Sequence, residues 1–199
     1  MRLDPVHDLQ KVFRKLLAAQ ASPGTIAELS REAELLDLEL PINKGVLLLA
    51  LALLDAETSF CVSSSDSAAL GDVISHLTYA RRAGPGESDF VFVLGGKDVA
   101  RSMRLAREGT LVDPHLGSTL VIEVARLSGE GELILAGPGI ETKARLGMGA
   151  GRGADLDPGW LEARSAKNAE FPLGVDLLFV DEDFRLAALP RTTLVRRDA

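Results

Sequence analysis

Two stretches of this sequence, and one arginine far from both, have residue types that could do chemistry. Asp113-Pro114-His115 sets a carboxylate two residues from an imidazole, with Ser118 three further on. These are the ingredients of a nucleophile and its base, as an independent hydrolase would need. Triads are assembled in space rather than along the chain, however, and polar loop residues of these types are common. The spacing therefore favours a hydrogen-bonded surface loop. Asp176 lies inside Phe171-Pro172-Leu173-Gly174-Val175-Asp176-Leu177-Leu178-Phe179, where a strand core is expected to be apolar. A carboxylate there must be paired or must face a cleft, because burying it alone is costly. Arg191, in Pro190-Arg191-Thr192-Thr193, is a plausible partner. Arg14 falls on the flank of a predicted helical stripe, where its stem can pack while the guanidinium reaches a partner. Arg14, Asp176, Arg191 and Thr192 form a candidate anion site, since arginine forks suit oxyanions. A structural ion pair explains Asp176 and Arg191 equally well.

Other motifs are weaker. Gly149-Ala150-Gly151-Arg152-Gly153-Ala154 matches G-x-G-x-x-A, but the polar Glu141 to Arg145 precedes it instead of a strand. The glycines alternating over residues 147–153 predict a flexible loop. Pro23-Gly24 and Gly137-Pro138-Gly139 read as tight turns; proline has no amide to offer an anion. Arg101, Arg104 and Arg107 recur every third residue, as on a solvated helix face. Cys61 is the only cysteine, and in a predicted core strand it behaves as a small hydrophobe. His7, His76 and His115 lie far apart, with no zinc spacing, so no metal site is expected.

The elements that would position these residues follow from composition and periodicity. The chain has 199 residues, 46% apolar and 26% charged, which suits one α/β domain over residues 1–199. The net charge of −7 argues against a nucleic-acid-coating surface. The longest apolar run, Val46 to Leu54, is too short to span a membrane. The opening Met1-Arg2-Leu3-Asp4-Pro5 has no signal-peptide pattern, which makes the cytoplasm the expected compartment.

Asp4-Pro5 starts a helix whose buried face is Val6, Leu9, Val12, Phe13, Leu16 and Leu17, and Ala21-Ser22-Pro23-Gly24 ends it. Residues 45–54 predict a buried helix and Ser59 to Val62 a strand. Ser63 to Asp66 caps a helix with the stripe Leu70, Val73, Ile74 and Leu77, broken by Ala83-Gly84-Pro85-Gly86. Phe90 to Leu94 is a strand, and Lys97 to Arg107 a shorter helix. Thr119 to Leu127, Ser128-Gly129-Glu130-Gly131 and Glu132 to Ala136 read as strand, turn, strand. Asp157-Pro158 starts a helix containing Trp160 and Leu161. Val175 to Val180 and Arg185 to Leu189 close the chain as a hairpin. Helices between early strands, with hairpins late, predict a three-layer mixed sheet.

Five ordered segments carry a resemblance. They are Phe13-Arg14-Lys15-Leu16-Leu17 with Pro23-Gly24, Leu127-Ser128-Gly129, Gly137-Pro138-Gly139-Ile140, Phe171 to Leu177, and Pro190-Arg191-Thr192-Thr193. Together they resemble PhnH, the H subunit family of the bacterial carbon–phosphorus lyase system for phosphonate use, from about Pro5 to Val195. The resemblance implies a fold like the large domain of PLP-dependent transferases without a PLP site, and no cofactor of its own. Of the chain's six lysines only Lys15 falls in a resembling motif, and PLP chemistry needs a lysine for its Schiff base. It also implies a complex with the G, I and J subunits, and a homodimer in isolation. That assembly supports coupling of phosphonate to the ribose of ATP, with radical cleavage of the carbon–phosphorus bond later. A single cysteine cannot hold the iron–sulfur cluster of the radical step, so that chemistry belongs to another subunit. In this frame the anion for Arg14, Asp176, Arg191 and Thr192 is a phosphonate or a nucleotide phosphate.

Overall fold

Asp4 starts the first helix as expected: its Oδ1 accepts from the amides of Val6 and His7, each at 2.8 Å, which occupies two donors left free at a helix start. A computed structural model of the chain describes residues 2–95, 98–149 and 156–198. Its elements run α1 (His7–Ala21), β1 (Ala27–Glu28), α2 (Ser30–Ala33), α3 (Lys44–Leu53), β2 (Ser59–Ser63), α4 (Ser67–Thr78), β3 (Arg81–Arg82), β4 (Phe90–Val93) and α5 (Val99–Leu105). After a 3-10 turn at Pro114–Leu116 come β5 (Thr119–Glu123), β6 (Arg126–Ala136), β7 (Ala144–Gly149), α6 (Trp160–Lys167), β8 (Asp176–Val180), β9 (Arg185–Leu189) and β10 (Leu194–Arg197).

Seven strands form one sheet in the order β1-β9-β8-β5-β4-β2-β3. β3, β2, β4, β5 and β8 are parallel, while β9 runs antiparallel to β8 and β1 to β9. The sheet is mixed, as the pattern of elements predicts. Side chains alternate along its central strands. Phe92, Val121 and Leu178 face a core shared with α1, α3 and α4; Val91, Val93, Leu120, Ile122, Leu177 and Phe179 face a second core. That second core is closed by α5, α6 and a small antiparallel sheet ordered β10-β6-β7. Phe60 meets Phe92 edge-on at 6.2 Å on one side, and Trp160 meets Phe179 at 5.8 Å on the other. Fully burying each of these aromatic side chains contributes about 2–3 kcal/mol. The helix α4 covers one face of the sheet and α5 the other, so the strand order reverses direction between β2 and β4.

Several sequence expectations need correction. The strand-turn-strand read over residues 119–136 is instead the end of one sheet and the start of another: β5 stays in the main sheet, and β6 runs unbroken from Arg126 to Ala136. Ser128-Gly129-Glu130-Gly131 is an irregularity within β6, where the pairing register with β7 shifts between Ser128 and Leu133. This also accounts for part of the expected glycine loop. Gly147 and Gly149 belong to β7 and pair with Ser128 and Arg126. A side chain at Gly147 would have its Cβ about 2.5 Å from the Glu130 carbonyl oxygen, so glycine is there for close backbone approach and not for flexibility. Residues 150–153 of that stretch, with most of the G-x-G-x-x-A match, lie outside the described residues.

The expected caps also shift. Asp66 makes no side-chain cap on α4, and α4 already ends at Thr78, before Ala83-Gly84-Pro85-Gly86. Tyr79 there closes the helix in the left-handed region, at φ 63°. The Asp157 carboxylate turns away from α6 and accepts from the Ala100 amide near the start of α5 through both oxygens, at 3.1 Å. The strand β10 had no expectation at all.

The Asp176–Arg191 node and the arginine cleft beside it

Asp176 opens β8 and Arg191 follows β9, so the hairpin between them brings the two side chains together. Arg191 Nη2 lies 2.7 Å from Asp176 Oδ2, and Nε lies 3.1 Å from the same oxygen. The Arg191 amide donates to Asp176 Oδ1 at 2.7 Å. The remaining fork arm, Nη1, donates to the carbonyls of Pro114 at 3.0 Å and Pro172 at 3.4 Å. Both side chains are largely buried, so the carboxylate is paired as its position in a strand demands. The guanidinium spends its donors on tying β8 to two loops, residues 110–117 and 170–174.

The other expected residues sit elsewhere. Arg14 is exposed on α1, a helix that contacts α3, β9 and β1, and among the described residues it makes no hydrogen bond or ion pair. The expected partner for Arg14 is thus not found among the described residues. Thr192 is half-buried, and its carbonyl faces Gly137: a Cβ there would come within 2.9 Å of it. Gly139 has φ 80° and backs onto the carbonyl of Ala21, with Pro23 beside it. Gly24 has φ 94° and abuts Ala144. Pro23-Gly24, Gly137-Pro138-Gly139 and Thr192 thus form one close-fitting junction between the end of α1, the β6–β7 connection and the start of β10. Gly24, Gly137 and Gly139 owe their identity to this contact.

The hydrolase residues do not assemble. Ser118 is buried, and its Oγ donates to the Ser88 carbonyl at 2.7 Å while accepting from the Arg107 amide. His115 is exposed on the 3-10 turn and has no side-chain hydrogen bond to Asp113 or Ser118 among the described residues. Arg107 pairs with Asp89 at 2.5 Å, so only Arg101 and Arg104 of the predicted stripe face solvent.

Next to the node opens a cleft of about 460 Å³, lined by residues of α6 and β10. Its arginines are Arg164, Arg191 and Arg196, joined by Asn168 and Thr193. Among the described residues that line it there is no Asp or Glu. Arg164 is only 3% exposed; its Nη2 donates to the carbonyls of Pro190 at 2.8 Å and Thr193 at 2.9 Å. Among the described residues its Nε, which is buried, has no hydrogen-bond partner, and neither has the buried Oγ1 of Thr193. Burial pushes the Arg164 guanidinium down to about 10, against the opposing charge of Asp176. It remains a cation at neutral pH. Sequence reasoning missed Arg164, although one signal was present: Trp160, Ala163 and Arg164 follow the i, i+3, i+4 rule of a buried helical face.

A second cleft of about 310 Å³ lies at the β2–β4 reversal, between the starts of α4 and α5. Cys61, Ser63, Ser67, Arg82 and Arg101 are on its wall. Reversal points of this kind are where open α/β sheets usually bind ligands. Arg82 there is held by Asp72 at 2.5 Å, and burial pushes the Cys61 thiol up, a hydrogen bond with Ser88 opposing it.

The described residues thus define a small α/β protein whose loops are locked by a carboxylate–guanidinium pair, with an arginine-lined cleft next to it. Residues 2–196 match the family model of the bacterial phosphonate metabolism protein PhnH, and the chain belongs to that family. It is 34% identical over 197 residues, 98% of this chain and 94% of the relative, to the PhnH subunit of alpha-D-ribose 1-methylphosphonate 5-triphosphate synthase from Rhizobium meliloti (strain 1021). It is also 34% identical over 189 residues, 92% of this chain and 84% of the relative, to HtxG of Stutzerimonas stutzeri, named a proposed C-P lyase subunit.

Proposed function

We propose that this chain is a subunit of the carbon–phosphorus lyase core complex for organic phosphonate catabolism. Its part is assembly and support of phosphonate coupling to the ribose of ATP. The observation that carries this reading is the full-length membership in the PhnH family, with relatives named as subunits of that system. The G, I and J subunits are the partners in this proposal, with a second copy of the chain in their absence and the cytoplasm as the compartment. No helix among the described residues is long and apolar enough to cross a membrane.

A docking role is supported by where apolar side chains are exposed. Leu111, Val112, Leu116 and Phe171 sit on the two loops that Arg191 ties together, and Val112 and Phe171 are 87% and 71% exposed. Side chains of this size on ordered loops suit a partner surface. The likeness of the sheet to the large domain of PLP-dependent transferases belongs to the same proposal. So does the absence of PLP chemistry, which needs a lysine for its Schiff base.

The test is growth on methylphosphonate as sole phosphorus source in a strain lacking this chain's gene. The wild-type chain should restore growth, and a Val112→Glu/Phe171→Glu chain that remains folded should fail. Restoration by the folded double variant would remove the proposed docking face, and failure of the wild-type chain would remove the assignment itself.

A further inference from the structure

We propose that the cleft between α6 and β10 binds the phosphate or phosphonate group of a small molecule, seated between Arg164 and Arg196. Among the described residues, the cleft wall holds three guanidinium groups and no carboxylate. Asp176 neutralises Arg191, whose fork is fully engaged. Arg164 and Arg196 are left without an ion pair among the described residues. Arg164 is held deep in the wall with only backbone carbonyls as hydrogen-bond partners; the Asp176 charge, already paired with Arg191, offsets part of the cost of burying that cation, and an anion in the cleft would offset more.

Two polar atoms of the wall residues are left over. Arg164 Nε and Thr193 Oγ1 are both buried, both unpartnered, and both belong to residues of the cleft wall. An unmade hydrogen bond on a buried polar atom costs about 1–3 kcal/mol, so two in one wall mark a place where a ligand's acceptors are missing. A phosphate or phosphonate carries about −1.5 to −2 charge near neutral pH and three acceptor oxygens, which matches two guanidiniums with no ion pair of their own and a hydroxyl. The cleft is larger than a bare phosphate needs and falls in the range of small-molecule pockets, and Ala169, Leu194 and Val195 give it an apolar side for an organic substituent. The inference stands on this cleft alone and holds whether or not the chain assembles with other lyase subunits.

Calorimetric titration of the isolated full-length protein with inorganic phosphate, methylphosphonate and ATP, each in turn, tests it. At least one of them should bind saturably, and Arg196→Ala, an exposed change, should weaken that binding tenfold or more. Arg164→Lys should do the same in protein that keeps its melting temperature within a few degrees. Whichever probe binds most tightly identifies the source of the group. Absence of saturable binding by all three up to about 10 mM, weaker than ordinary ligand affinities, would overturn the proposal. So would affinity unchanged in Arg196→Ala, even if Arg164→Lys proves unstable.

Discussion

The guanidinium of Arg191 grips Asp176 at 2.7 Å with one arm and reaches the carbonyl of Pro114, 77 residues before it in the chain, at 3.0 Å with the other, so one side chain joins the start of β8 to that distant loop. Asp176→Asn should therefore lower unfolding stability by about 2–4 kcal/mol, because it leaves a largely buried cation without its counter-charge. The double variant Asp176→Leu/Arg191→Leu should cost less than the two single changes added together, since neither charge is then orphaned. Urea denaturation measures both. Additive losses would show that the pair is not coupled.

The junction of turns makes a sharper test of backbone geometry. Gly139→Ala forces a Cβ into the Ala21 carbonyl at a positive φ and should destabilise by more than about 1 kcal/mol. Gly84→Ala meets nothing within 4 Å and has no positive φ, so it should fall within about 0.5 kcal/mol of wild type. Equal effects at the two glycines would contradict the close contact between the end of α1 and the β6–β7 connection.

Much of this architecture was legible in periodicity and little of it in punctuation. The strands at Phe90, Thr119 and Val175 announce themselves because their side chains alternate between two cores, and the helix over residues 45–54 because it is apolar all round. The Asp176–Arg191 pair was legible as a carboxylate that a strand cannot bury alone. Gly147 misled because glycine serves both mobile loops and close strand approach, and only a partner such as Gly131 across the sheet separates the two. Arg164 stayed hidden because its partners are backbone carbonyls of Pro190 and Thr193, which no residue type reveals.

Asp89 gives the acid side of the stability profile. Burial raises its carboxyl, but the hydroxyl and amide of Ser59 and the Arg107 guanidinium outweigh that and hold it below the usual range. The folded form thus binds its proton later than the unfolded chain, which takes it up near pH 4. The stabilisation is complete above that pH and is lost as the pH falls through the depressed folded value. Thermal melts between about pH 6 and pH 2 should show a shallower acid decline in Asp89→Asn than in wild type. Parallel declines would rule out this contribution.

Cys61 should react slowly. Burial keeps its thiol above the ordinary range, so the thiolate fraction near neutral pH is small and access is partial. Iodoacetamide should modify the native protein more slowly than the urea-unfolded chain at pH 7.5 (about one unit below an ordinary thiol), with the native rate still climbing above pH 9. Equal rates in the two states would contradict the burial.

The most direct measurement of the assembly role is affinity purification of the tagged chain from its own host grown on a phosphonate. The other carbon–phosphorus lyase subunits should elute with it in fixed ratio through a sizing column. A chain that emerges alone under those conditions, with the other subunits assembled without it, would contradict the account.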